Sequence, residues 1–181
     1  IFAGGCFWCL EHDLETLTGV VSAESGYSGG QLTGPTYNNH DGHQEVVKVI
    51  FDSEKINYAT LLRSYWRNVD PFDEEGQFCD RGDSYRAVIY PLDKQQTIEA
   101  KKSVKFAALE LSKSTEELKI IIRDAKKFWP AENYHQDFAE KNSLKYNFYR
   151  YSCGRDLRLD DLWGERARTS QAWRKVHITK S

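Results

Sequence analysis

Two cysteines three residues apart, Cys6 and Cys9, stand near the start of this 181-residue chain, in the run GGCFWCLEHDLETL (Gly4–Leu17). A C-x-x-C pair can ligate a metal, cycle as a dithiol, or pair one nucleophile with an auxiliary sulfur. A structural zinc site needs four ligands, usually including a second C-x-x-C or a close histidine pair. Here Cys79 and Cys153 are isolated singles, and His40 and His43 lie too far along for a finger. A zinc-stabilised interaction module therefore fits the spacing poorly. A general thiol–disulfide oxidoreductase fits better, because C-x-x-C at a helix start after a strand is its sequence context. Yet Phe7 and Trp8, between the sulfurs, are bulky and apolar, where an electron shuttle needs only access. In the third reading Cys6 follows two glycines and opens a helix, whose free N–H groups and dipole favour thiolate. Cys9 lies one turn further in and gains less. Burial as small hydrophobes is the common state of free cysteines, but the glycines and the aromatic pair argue against it here.

The elements that must position these sulfurs follow from periodicity. Ile1-Phe2-Ala3 reads as a short strand ending at Gly4-Gly5. Phe7, Leu10, Leu14 and Leu17 recur at helical spacing, and Gly19 closes that helix. Val20–Tyr27 and Glu45–Phe51 read as strands, separated by a long Gly/Pro/Ser/Asn-rich loop from Ser28 to Gly42. Leu61 to Val69 marks a second helix before Pro71, and Tyr85–Tyr90 another strand. Asp93 is placed to cap a third helix through about Leu111, Leu118–Arg123 reads as an edge strand, and Pro130-Ala131-Glu132 opens a short helix containing His135. The β-α-β-β-α-β order predicts an α+β fold: a ferredoxin-like, split β-α-β two-layer sandwich, its antiparallel sheet covered by helices on one face. Residues 1–153 are expected to form the catalytic domain. Residues 154–181 are expected as an extended C-terminal tail wrapping it, docking Leu157, Leu159, Leu162 and Trp163 and ending in a frayed basic terminus.

Composition narrows the function classes. A hydrophobic fraction of 40% supports a core without metals or disulfides. A net charge of -2 argues against nucleic acid as partner, and no apolar run approaches a membrane span. Four cysteines are too few and too unevenly spaced for a secreted disulfide scaffold, so a reducing, cytoplasmic setting is expected.

GGCFWC, followed in order by GYSGG (Gly26–Gly30), GPTY (Gly34–Tyr37), GHQEVVKV (Gly42–Val49), DRGDSYRAVIY (Asp80–Tyr90) and AENYHQDF (Ala131–Phe138), resembles the A-class peptide methionine sulfoxide reductases. That resemblance implies the same ferredoxin-like fold and reduction of the S epimer of methionine sulfoxide, free or in proteins. It implies Cys6 as nucleophile, Phe7 and Trp8 as the wall for the substrate methyl group, and Glu45 as proton donor to the sulfoxide oxygen. Tyr37 and Tyr85 would hydrogen-bond that oxygen, and Asp80 would help place the substrate. The chemistry wants these types, because oxide is a poor leaving group until protonated. Glu45 must be neutral to donate, and its place before Val46-Val47 points to burial, which raises a carboxyl pKa.

Oxygen transfer leaves a sulfenic acid on Cys6, which a second thiol resolves as a disulfide. The resemblance makes Cys153 the resolving candidate, with Cys9 as the local alternative, since family members commonly carry glycine where Cys9 stands. A relay through both is a third route. Cys79 is expected as a buried thiol, and His135 as a structural residue. No metal or organic cofactor is implied. The expected reductant is thioredoxin or a similar dithiol protein, and the chain is expected to be a monomer.

Overall fold

Strand β1, Phe2–Ala3, is only two residues long, yet it lies at the centre of the sheet and both its side chains are buried. In this computed structural model, which describes residues 1–174, β1 pairs antiparallel with β3 (Gln44–Phe51) on one side and β6 (Val88–Ile89) on the other. Between them in sequence come helix α1 (Phe7–Glu15), β2 (Val20–Ser28), α2 (Tyr58–Trp66) and a small separate hairpin of β4 (Gly76–Gln77) with β5 (Asp80–Arg81). After β6 follow α3 (Lys94–Glu110), β7 (Ile121–Ile122), β8 (Trp129–Pro130), α4 (Phe138–Lys141), α5 (Ser143–Ser152) and α6 (Arg155–Trp163). The main sheet runs β7-β6-β1-β3-β2-β8.

The fold is α+β, with one correction to the sheet. It is mixed rather than wholly antiparallel, because β7 pairs parallel to β6. A parallel partner needs a crossover, and α3 supplies it. Its N-terminus is capped as expected, the Gln96 N–H donating to Asp93 Oδ1 at 2.7 Å.

Strand alternation decides which layer each residue serves. Phe2 and its register partners Val47 and Ile89 face the helices, meeting Leu10 and Leu14 of α1 and Leu61, Leu62 and Tyr65 of α2. Ala3, Val46 and Val88 point to the opposite face, where Ile121, Ala125 and Phe128 cover them. Glu11, buried on α1, ties that helix to its surroundings. Its Oε1 accepts from the Ser25 N–H at 3.2 Å and its Oε2 from the Asp137 N–H at 3.1 Å. The helix carrying both cysteines is thus packed from below by the sheet and pinned at its flank.

The segment expected as an extended tail begins with a helix instead. In α6, Leu159 and Trp163 are buried in the main core and Leu162 is half-buried, while the helical period turns Leu157 outward, 74% exposed. Beyond it the chain does run along α2, with the Arg168 N–H donating to the Arg67 carbonyl at 2.9 Å. The basic terminus expected to fray lies outside the described residues. The short helix expected to contain His135 is a 3-10 turn, Asn133–His135, that follows β8 and has Glu132 as its N-cap.

Arg155, the first residue of α6 and almost wholly buried, reaches back to the start of the chain. Its guanidinium donates to the Gly4 carbonyl at 3.2 Å and to the Asn68 carbonyl at 2.6 Å. Arg155→Leu should lower stability by about 3 kcal/mol, because two buried carbonyls would lose charged donors. The expected readout is a lower urea midpoint with an unchanged slope; an unmoved midpoint would show that these bonds stabilise nothing.

Candidate active site

The turn from β1 into α1 sets the geometry of the nucleophile. Gly5 has φ +81, a conformation that side chains disfavour, and a Cβ there would lie 2.8 Å from the Gln77 Cβ. Cys6 is the N-cap of α1, and its side chain makes no cap hydrogen bond. The sulfur is therefore not consumed in closing its own helix. Two free N–H groups at this helix start turn to carboxylates from other elements. The Phe7 N–H donates to Glu45 Oε2 at 3.0 Å, and the Cys6 N–H faces the Asp80 carboxylate.

Glu45 sits on β3 opposite Tyr27 and is 1% exposed. Burial raises its pKa to about 8; the Phe7 N–H opposes this, and Asp80 and Cys9 add to it. At neutral pH the carboxyl is mostly protonated. Oε2 is engaged by Phe7, and Oε1 has no protein partner among the described residues. This is a buried acid with one oxygen tied down and the other free.

The thiols differ from expectation. Cys6 was expected to favour thiolate at its helix terminus. Burial raises it well above an ordinary thiol, and the Cys9 thiol, Glu45 and Asp80 push the same way. The resting nucleophile is a thiol hydrogen-bonded to Cys9. Desolvation by a closed core outweighs the helix-end effect, which is worth about 0.3–1 kcal/mol near a surface. Cys6 keeps 6% exposure and Cys9 1%. Neither sulfur offers the access that a dithiol carrier needs.

The two aromatic residues between the sulfurs form a wall, but on different terms. Phe7 is 1% exposed and packs against Tyr27, Tyr37 and His135, at ring separations of 5.9, 6.4 and 5.0 Å. Trp8, half-buried, stacks on Phe138 at 3.7 Å and meets the edge of Tyr149 at 5.9 Å. Its indole N–H donates to His135 Nδ1 at 3.0 Å, so the His135 proton resides on Nε2. Burial lowers the pKa of His135 and keeps the ring neutral. His135 thus braces Trp8 through Nδ1, while its buried Nε2 has no hydrogen-bond partner among the described residues.

Tyr37 and Tyr85 approach from separate loops. Tyr37 is 37% exposed, in a turn closed by the Thr36–Asn39 bridge, and its N–H donates to Glu132 Oε1 at 2.9 Å. The other Glu132 oxygen accepts from the Tyr27 hydroxyl at 2.9 Å, fastening the loop to the sheet. Tyr85 ends a short turn, Asp83–Tyr85, that Gln44 holds through the Asp83 carbonyl at 3.3 Å. Burial raises both phenols, Tyr37 to about 12, and each also feels Glu45, Asp80 and Cys6. Both hydroxyls stay protonated, and both feel the same three acidic groups. Asp80, half-buried, accepts from the Tyr149 hydroxyl at 2.6 Å, and burial raises its pKa.

Two expectations fail at the remaining cysteines. Cys79 is not a buried thiol, and Cys79 and Cys153 are not isolated. Cys79 is exposed and forms a disulfide with half-buried Cys153 across a sequence separation of 74. The β4–β5 hairpin brings Cys79 up to the C-terminus of α5, a meeting of distant segments with no local sequence signal. Cys79, Asp80 and Cys153 form a tight group of potential ligand atoms, all within 4.8 Å of one another, and Cys6 and Cys9 are outside it. Sequence reasoning also missed Glu132 and Tyr149. Glu132 lies inside AENYHQDF and was open to detection, whereas Tyr149 sits in an unremarkable helix.

Known proteins point the same way as this geometry. A family model described as peptide methionine sulfoxide reductase matches residues 1–167. The chain is 49% identical to peptide methionine sulfoxide reductase MsrA 2 of Caulobacter vibrioides, over 91% of this chain and 84% of that one. Its namesake from Rhizobium meliloti is 45% identical, over 92% and 84%. Among solved structures, methionine sulfoxide reductase A of Corynebacterium diphtheriae superposes with a TM-score of 0.71 at 27% identity, covering 79% of this chain and 74% of that one. The reduced form of Mxr1 from Saccharomyces cerevisiae shares the fold, with a TM-score of 0.71 at 24% identity over 78% and 83%. The chain belongs to the peptide methionine sulfoxide reductase family.

Proposed function

We propose that this chain is a thiol-dependent reductase that returns methionine sulfoxide, free or in proteins, to methionine, with preference for the S epimer. The observation that carries the reading is Glu45: a buried carboxyl, neutral at pH 7, hydrogen-bonded to the residue that follows Cys6. Such a group has a use where an oxygen must gain a proton as it leaves sulfur.

In this reading the substrate sulfoxide enters with its methyl group against Phe7 and Trp8. Tyr37 and Tyr85 donate hydrogen bonds to the oxygen, and Asp80 helps hold the substrate. Glu45 protonates the oxygen, which draws electron density from the substrate sulfur and makes it electrophilic. Cys6 attacks, and its thiol proton restores Glu45. The balance is one oxygen atom moved: thiol plus sulfoxide gives Cys6 sulfenic acid plus methionine. Glu45 lends a proton and recovers one, so no cofactor or metal is required. A recessed Cys6 suits a slender, unbranched side chain as substrate.

Cys153 then condenses with the sulfenic acid, forming a disulfide and releasing water. Cys9 is the alternative, and its hydrogen bond to Cys6 favours a supporting role in holding the nucleophile. Thioredoxin or a similar dithiol protein restores the thiols, which calls for a reducing compartment such as the cytoplasm. We read the enzyme as a monomer without membrane attachment; no described helix is long and apolar enough to cross a membrane. The strand order β6-β1-β3-β2, with α1 and α2 as the intervening helices, supports a ferredoxin-like core with β7 and β8 added at its edges.

Cys6→Ser is expected to release no methionine from methionine S-sulfoxide even in a single turnover, and retained activity would exclude the mechanism. Glu45→Gln should slow the single-turnover step by about 10²–10⁴-fold while the protein stays folded by circular dichroism. An unchanged rate would remove Glu45 from the acid role. The wild-type rate should fall as pH rises through about 8, because the acid loses its proton there. A rate that instead rises across that interval would mean that thiol ionisation, not Glu45, controls the step.

A further inference from the structure

Cys79, Asp80 and Cys153 bring two sulfurs and a carboxylate oxygen within 4.8 Å of one another. Cys79 is exposed, and Asp80 and Cys153 are half-buried, so an ion from solvent has access to all three. We propose that in the reduced chain these three side chains form a binding site for zinc(II), and that the site and the Cys79–Cys153 disulfide exclude one another. The assignment goes beyond the proposed reduction of methionine sulfoxide and does not rest on it.

The donor set selects the ion. Zinc accepts thiolate sulfur and carboxylate oxygen alike, and it takes three protein ligands with water in the fourth position. Calcium and magnesium require more ligands, all of them oxygen, which two sulfurs cannot supply. The Cα atoms of Cys79 and Cys153 are 4.9 Å apart, which leaves both side chains within reach of one ion once the disulfide opens. The carboxylate is already oriented. The Tyr149 hydroxyl donates to Asp80 Oδ2 at 2.6 Å, and Oδ1 lies 3.9 Å from the Cys79 sulfur. A hydrogen bond of this kind, made behind the ligand, is what aims a coordinating carboxylate. The Cys79 N–H points at the Cys153 sulfur at 3.1 Å, a donor that a thiolate there would retain. Two thiolates and a carboxylate exceed the charge of zinc by one. The Arg155 guanidinium, 4.5 Å over the ring of Phe78 beside Cys79, offsets that excess. Burial raises the pKa of Asp80, and the Tyr149 bond and the Arg155 charge oppose it.

Loading and release balance. Zinc binding displaces the two thiol protons, so affinity rises with pH. Oxidation reverses the binding. Hydrogen peroxide takes two electrons from the pair of thiolates and, with two protons, becomes two waters; the disulfide forms and the zinc ion leaves. The same two sulfurs serve either bond, and for that reason the two states are exclusive. Cys6 and Cys9 take no part.

The test is zinc binding by the full chain, reduced and then freed of reductant and metal, in competition with a chromophoric chelator and without any sulfoxide. One zinc per reduced chain is expected, none on the chain carrying the Cys79–Cys153 disulfide, and full release when hydrogen peroxide is added. Cys79→Ser and Cys153→Ser should each lose the site, whereas Cys6→Ser should keep it, with circular dichroism confirming that each variant is folded. Asp80→Asn should weaken binding roughly tenfold or more, and so should Tyr149→Phe, which removes only the hydroxyl that orients the carboxylate. Absence of zinc from the reduced wild type, equal binding by the oxidised chain, or loss of the site in Cys6→Ser would overturn the proposal. Unchanged affinity in both Asp80→Asn and Tyr149→Phe would overturn the three-ligand assignment.

Discussion

The site depends on what the first turn of α1 does with its free N–H groups. A helix starts with donors that have no intrahelical partner, and most helices satisfy some with the side chain of the N-cap residue. Here the N-cap is Cys6, whose sulfur does not bend back. The Phe7 N–H finds Glu45 from β3, and the Cys6 N–H faces Asp80 from β5. One arrangement thereby frees the nucleophile, draws two carboxyls to its side, and fixes the register between helix and sheet. Much else in the fold, from the packing of Glu11 against β2 and α4 to the reach of Arg155, keeps that helix end in place.

The electrostatic consequence is that Cys6 and Glu45 rest in their protonated forms. Burial raises Cys6, Glu45 and Asp80 together, since each carboxylate or thiolate would add negative charge to a poorly solvated space. The ring of phenols and neutral His135 adds no cation to offset it. A site built this way is idle until a ligand arrives whose oxygen can accept a proton. The same burial leaves Cys6 only 6% exposed.

How far the sequence could be read depended on whether a feature was local. The helix at Phe7, the cap at Asp93 and the central strands all follow from spacing of three, four or two within a few residues, and they were anticipated. The parallel strand β7 was seen as an edge strand but not in its direction, because direction is set by a crossover and leaves no mark on a two-residue strand. No secondary structure was expected for residues 139–152, yet they supply Tyr149 to the wall around Trp8, beside Phe138 at the end of AENYHQDF. The start of the C-terminal segment was read as extended because its charges mask a helical stripe made of Leu159, Leu162 and Trp163.

By itself the sequence determined which residues have the chemistry: a cysteine after two glycines, an acid ahead of a β-branched run, and the ordered motifs of a reductase family. These are properties of side-chain type and short-range spacing, and they survive without coordinates. Only the tertiary structure decided that Cys6 rests as a thiol rather than a thiolate, because desolvation depends on what closes over a group from distant segments. Only it joined Cys79 to Cys153, since a contact across 74 residues is made by the meeting of a hairpin and a helix end, and neither segment encodes the other.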